Sequence, residues 1–232
     1  MSNPKKSITA TSVALSLIFI IVIPLLPLII SGRWDWWEAW VFAGLNIVGF
    51  AVSRILAARR NPDIIAERSK FMRQDDTKDF DKILSPLVGL GGGVMPIIAG
   101  LDELFGWSPA FSLTLKIISL LIIFAGYVLA SYALIENRFF SGTVRIQTDR
   151  DHHVVSSGPY RWVRHPGYAG SLITYFFIPF LLDSWWIFIP AFSIVILLFA
   201  RTYLEDNTLQ KELPGYDEYV KKVRYRLIPG VW

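Results

Sequence analysis

Residues 8–30 read ITATSVALSLIFIIVIPLLPLII, an almost uninterrupted apolar run of 23 residues. As a helix rising about 1.5 Å per residue, this run covers the roughly 30 Å hydrocarbon thickness of a bilayer with some tilt. Lys5 and Lys6 precede it as they would in a signal peptide. Its length, its Pro24 and Pro27 and the lack of a small-x-small cleavage site favour a retained membrane span. Trp34, Trp36, Trp37 and Trp40 follow Arg33 and suit the aromatic belt of a membrane–water boundary.

Outward from that run, residues 36–58, 83–101, 111–135, 169–182 and 185–200 form further apolar segments. Asp183 and Ser184 join the last two, which reads as a tight helical hairpin. The polar intervals are basic on one side only. Residues 59–82, expected to form a loop or surface helix, carry Arg59, Arg60, Arg68, Lys70, Arg73, Lys78 and Lys82 against an almost equal acidic set. Residues 136–168 carry Arg138, Arg145, Arg150, Arg161 and Arg164, and the tail carries Lys221, Lys222, Arg224 and Arg226. The other side holds only Arg33, so the positive-inside rule predicts six spans with both termini and both large loops in the cytoplasm. The expected fold is all-α, a polytopic integral membrane bundle of about six helices. It forms one domain over residues 1–232, with four spans in 1–135 and a distinct C-terminal region in 136–232. Lys116 and Arg54 lie near span ends, where they are expected to snorkel.

Composition agrees. The 232 residues are 53% hydrophobic and 18% charged, with 16 glycines, and the mean hydropathy is +0.43. Soluble domains average about 25% charged residues. The absence of cysteine removes disulfides, thiolate nucleophiles and Cys-ligated metals, and three histidines exclude a histidine-rich di-iron site. The net charge of +4 is accounted for by the cytoplasmic loops, so anionic lipid headgroups replace nucleic acid as the expected neighbour. Residues 89–94, GLGGGV, imitate a dinucleotide loop, but Val94 replaces the last glycine and no strand precedes it. Small residues in a span instead favour close helix packing.

Two polar clusters remain. In residues 152–170, HHVVSSGPYRWVRHPGYAG, Gly158-Pro159 signals a turn and Pro166 suits the first turn of the following helix. Arg164 and His165 then sit at that helix's positive end, where an anion such as a carboxylate is favoured. Arg201, Tyr203, Glu205, Asp206 and Asn207 follow the last span, and Arg201 and Glu205, four apart, have the spacing of a surface ion pair. A hairpin returns this second cluster toward the first.

The string Gly158-Pro-Tyr-x-x-Val-Arg164-His165-Pro166-x-Tyr168-x-Gly170, with Arg201-x-x-x-Glu205-Asp206-x-x-Leu209 and Gly215-Tyr216-x-x-Tyr219, resembles the membrane methyltransferases of the isoprenylcysteine carboxyl methyltransferase and phospholipid methyltransferase group. The resemblance covers about residues 145–232 and leaves the first four spans without a motif. It implies S-adenosylmethionine as methyl donor and a hydrophobic, lipid-like acceptor. It also implies cofactor-side roles for Tyr160, Arg164, His165, Pro166, Tyr168 and Gly170, with Glu205 as the acidic ligand. No metal is implied and no residue is assigned as a general base. Two positions depart from the family pattern: Asp206 stands where a second glutamate is common, and Lys222-Val223 where an arginine is. NADPH-dependent sterol-type reductases carry a similar string, with asparagine after the proline and an acid after the last glycine. Gly167 and Ser171 here favour the methyltransferase. A non-catalytic membrane protein or transporter would call for polar or broken helices at mid-membrane.

Overall fold

The structure, a computed structural model, describes residues 18–70 and 74–232. Residues 8–17 of the expected first span, Lys5, Lys6 and Arg73 lie outside the described residues. A π-helical turn at Ile18–Val22 leads into α1 (Ile23–Ser31), which holds Pro24 and Pro27. Then follow α2 (Trp37–Arg60), the short α3 (Ile64–Ser69), α4 (Asp81–Phe105) and α5 (Leu113–Glu136). The chain continues through α6 (Pro166–Leu181), α7 (Phe188–Glu212) and α8 (Tyr216–Lys222). No strand occurs among the described residues.

Helices α2, α4, α5 and α7 are long and apolar enough to cross a membrane. Helix α6, with 16 residues, reaches only about 24 Å. Many large apolar side chains point outward, among them Val48, Leu90, Leu121 and Ile196. Lipid is the solvent that makes such a surface favourable. The protein is a polytopic helical membrane protein, as the apolar runs imply.

The inner packing depends on small residues. Helices α5 and α6 make the most extensive contact, and α4 packs on α1 and α7. A Cβ on Gly91 would meet Ile194 at 2.8 Å and one on Gly92 would meet the Tyr175 hydroxyl at 3.1 Å, whereas Gly89 faces open space. The glycine run therefore lies inside α4 and works as a helix-packing surface.

Charges gather at the two ends of the bundle. At one end Lys78 pairs with Glu212 at 2.7 Å, Arg145 with Glu67 at 2.8 Å and Arg201 with Asp81 at 2.6 Å, so both charged loops and α7 meet there. At the other, Arg33 pairs with Glu103 at 2.5 Å and Lys116 with Glu38 at 2.5 Å and with Asp183. Two expectations change. Lys116 is boxed in by carboxylates from α2 and the α6–α7 turn instead of snorkelling, and Arg201 joins Asp81 across the bundle instead of Glu205 on its own helix.

Candidate active site

The Gly158-Pro159 turn is a short 3-10 helix, Gly158–Arg161, and Gly158 takes φ +55°. A Cβ there would lie 2.9 Å from Glu136 Cγ, so glycine is required on both counts. From this turn the chain runs to Pro166, the first residue of α6. Before the helix begins, the N–H groups of Arg164 and His165 donate to the carbonyls of Tyr225 and Arg226, both at 2.9 Å, which stitches the tail along the loop.

Asp206 is the centre of this junction. Its carboxylate accepts from Arg164 Nε at 2.7 Å and Nη2 at 2.9 Å, from Arg226 Nε at 2.8 Å, from Gln210 at 2.9 Å and from the Tyr216 hydroxyl at 3.0 Å. His165 Nε2 lies 3.2 Å from the same group. Arg164 Nη1 donates to the carbonyls of Val223 and Arg224 at 2.8 and 2.7 Å. Four of the five guanidinium N–H groups are therefore spent inside the protein. Arg164 touches the cavity wall, but its chemistry is that of a clamp between α7 and the tail.

Glu205, one residue earlier on α7, faces elsewhere. Its Oε2 accepts the Tyr168 hydroxyl at 2.6 Å, and its Oε1 lies 4.0 Å from His165 Nδ1. Both residues line a cavity of about 530 Å³ that also touches Tyr160, Arg164 and His165. Pro166 and Gly170 are not part of that wall. Pro166 starts the helix, and Gly170 lets it approach α5. The buried cluster of Tyr160, Leu213, Tyr216, Tyr219 and Val223 backs the Glu205 end. Burial pushes the hydroxyls of Tyr160, Tyr216 and Tyr219 far above the usual phenol range, so they act as neutral donors and not as bases.

The cavity lining falls into two unlike groups of residues. At the Glu205 end, residues 152–155 form the wall, and the backbone N–H groups of residues 153–156 have no partner among the described residues. The other group, Asn46, Phe50, Tyr127 and Tyr175, comes from α2, α5 and α6. A second cavity of about 290 Å³ shares Asn46, Tyr127 and Tyr175 with it and extends to Gly89, Gly92 and Gly93.

His152 holds down the loop at the Glu205 end. Its ring lies 4.5 Å from that of Phe139, and its Nδ1 accepts the Gln147 N–H at 3.3 Å. Burial, and then the charges of His153, Arg145 and Arg150, lower its pKa from 6.5 to about 4. The unfolded chain takes up this proton first, so the stability contribution is whole above pH 6.5 and falls as pH drops from 6.5 toward about 4. His152→Gln is expected to flatten that fall, read as melting temperature against pH. Equal slopes for both proteins would exclude His152 as its source.

Sequence reasoning missed that Asp206, and not Glu205, organises the polar junction, and that Asp81 supports it by holding Arg201 and accepting the Val144 N–H at 2.6 Å. Asp206 stood inside the quoted string, but Asp81, 120 positions from Arg201, carried no local signal.

Residues 117–211 match the family model described as the isoprenylcysteine carboxyl methyltransferase (ICMT) family. The match runs through most of α5, the site loop, α6 and nearly all of α7, and leaves α1–α4 and α8 outside. No curated protein matches the chain.

Proposed function

Because residues 117–211 match the model of the isoprenylcysteine carboxyl methyltransferase family, we propose that this protein is a membrane methyltransferase that moves a methyl group from S-adenosylmethionine to a lipid-like acceptor. The observation that carries the proposal is the Tyr168-oriented Glu205 carboxylate on the wall of a cavity that is also lined by Asn46, Phe50, Tyr127 and Tyr175 of the apolar helices α2, α5 and α6. The residues present fit the donor. Glu205 suits its ammonium or ribose hydroxyls, the aliphatic and aromatic wall suits adenine, and the N–H groups of residues 153–155, unpaired among the described residues, offer hydrogen bonds.

When bound, S-adenosylmethionine supplies a methyl on a positively charged sulfur, already activated for displacement. With a carboxylate as acceptor, transfer would need no general base, because the C–O bond would form as the C–S bond gave its electron pair to sulfur and no proton would move. The protein's task is alignment and exclusion of water. Tyr168 fixes Glu205, Asp206 fixes the loop and tail that form the wall, and the α2–α5–α6 side receives the acceptor's chain from the bilayer side. The donor enters from the end where the basic loops and the tail meet, the cytoplasmic face in this proposal. Membrane lipids surround the rest.

Calorimetric titration of the detergent-purified protein with S-adenosylhomocysteine, and with NADPH in parallel, tests the proposal. Saturable micromolar binding of the former alone is expected, whereas binding of NADPH alone would move the chain to the reductases. Glu205→Gln keeps an acceptor for Tyr168 but loses the charge. It is expected to weaken S-adenosylhomocysteine binding about 10- to 100-fold, the worth of a charged hydrogen bond. An unchanged affinity would remove Glu205 from the donor site.

A further inference from the structure

Beyond α8, residues 227–232 close into a tight turn on the outside of the bundle. The N–H groups of Leu227 and Ile228 donate to the Trp232 carbonyl oxygen at 3.0 Å, and those of Val231 and Trp232 donate to the Ile228 carbonyl at 3.1 Å. The turn is well bonded, yet it holds apolar side chains outward: Leu227 is buried, but Ile228 is exposed and Val231 is 76% exposed. Lys222 and Arg224, just before it, are exposed and have no carboxylate partner among the described residues. Such a surface calls for a partner that is apolar at one level and anionic at the next.

The position says which partner. The Trp232 ring lies 5.2 Å from that of Phe199 on α7. Phe192, Ile196, Phe199 and Tyr203 recur at three- and four-residue spacing on this membrane-crossing helix, and all but the partly covered Phe199 are exposed. The turn therefore continues the lipid-facing side of α7, with Trp232 packed about 6 Å deeper than Tyr203 along the helix. Tryptophan and tyrosine favour the headgroup level of a bilayer. Arg226 ties this corner to the site: its Nε donates to Asp206 at 2.8 Å, and its guanidinium carbon lies 5.1 Å from the Trp232 ring and 5.6 Å from the Tyr203 ring. Asp206 in turn holds Arg164 and faces His165, both on the cavity wall.

We propose that residues 227–232 are an interfacial anchor, with Ile228, Val231 and Trp232 seated at the headgroup–acyl boundary of the bilayer and Lys222 and Arg224 on the phosphates of its phospholipids. The bilayer thereby holds Arg226 against Asp206 and tightens the seam between loop and tail. Its effect on donor binding rests on the methyltransferase reading, whereas the insertion itself does not.

The chain has no cysteine, so one introduced thiol reports on one position. Val231→Cys carrying an NBD fluorophore, in full-length protein reconstituted into phosphatidylcholine nanodiscs, is compared with the same label at Lys221→Cys on exposed α8. Lipid bearing a nitroxide near its headgroup is expected to quench the label at position 231 severalfold more than at 221. Lipid quenching no greater at 231 than at 221 overturns the anchor, and shielding of 231 from aqueous iodide without lipid quenching overturns it in favour of a protein contact. The Ile228→Ser, Val231→Ser double variant changes only exposed side chains and leaves Trp232 and Arg226 in place. In nanodiscs it is expected to speed trypsin cleavage at Arg224 and Arg226 severalfold and to weaken S-adenosylhomocysteine binding severalfold. Cleavage at the wild-type rate overturns the hold of the bilayer on the seam. If wild type binds no S-adenosylhomocysteine, the methyltransferase reading fails, while quenching and cleavage still decide the anchor.

Discussion

Asp206→Ala is expected to lower stability by about 3–5 kcal/mol, because it leaves Arg164 in a buried setting without its counter-charge. In a chain of this length that is a fall in melting temperature of roughly 10 °C. The loss has a location as well as a size. Arg226, Gln210 and Tyr216 lose the same acceptor, so residues 223–226 are released from the loop they are stitched to. Limited trypsin digestion at Arg224 and Arg226 is expected to accelerate before the bundle unfolds. A melting temperature within 2 °C of wild type with unaltered digestion would show that Asp206 is not the organising centre, given the shift of about 2–4 °C expected per kcal/mol. Arg164→Ala is expected to act in the same way, through the tail, with reduced donor binding as a consequence.

Gly170→Ala carries the second large effect. The added Cβ would sit 2.5 Å from the Gly126 carbonyl oxygen and 2.8 Å from the Ala130 nitrogen, both backbone atoms of α5 that no rotamer change can move aside. Overpacking of this kind costs about 1–3 kcal/mol, and here it must shift α6 bodily. Because Tyr168 rides on the first turn of that helix and His165 immediately precedes it, methyl transfer is expected to fall more steeply than stability. Gly89→Ala is the internal control. Nothing lies within 4 Å of its Cβ, and helix propensity alone predicts up to about 1 kcal/mol of stabilisation. If both variants melt alike, the α5–α6 contact is not under this constraint.

The helices were legible because a bilayer asks one simple thing of a sequence, a long apolar run, and residues 36–58, 83–101 and 111–135 lie within or nearly within α2, α4 and α5. The start of α6 was legible from Pro166, whose missing N–H and fixed φ suit a first turn. The choice of charge partners was not. Arg201 and Glu205 have ideal spacing for each other, yet the packing of α4 beside α7 presents Arg201 with Asp81 instead. Neighbouring helical residues point about 100° apart, so Glu205 and Asp206 divide their work between the cavity and the buried clamp. Which faces which is set by the rotation of α7 in the bundle, a quantity no local pattern records.

The seam between loop and tail also fixes an order of events during synthesis. Arg164 and Asp206 are 42 positions apart, whereas Arg164 and the Val223 carbonyl are 59 apart. At about 5–20 residues per second, the ribosome makes the hairpin's ion pair available roughly one to three seconds before the tail segment that caps it. For that interval two guanidinium N–H groups of the nascent chain wait for the carbonyls of Val223 and Arg224. Maturation of the binding chamber is thus a late step, taken after all the long apolar helices have been handed to the membrane.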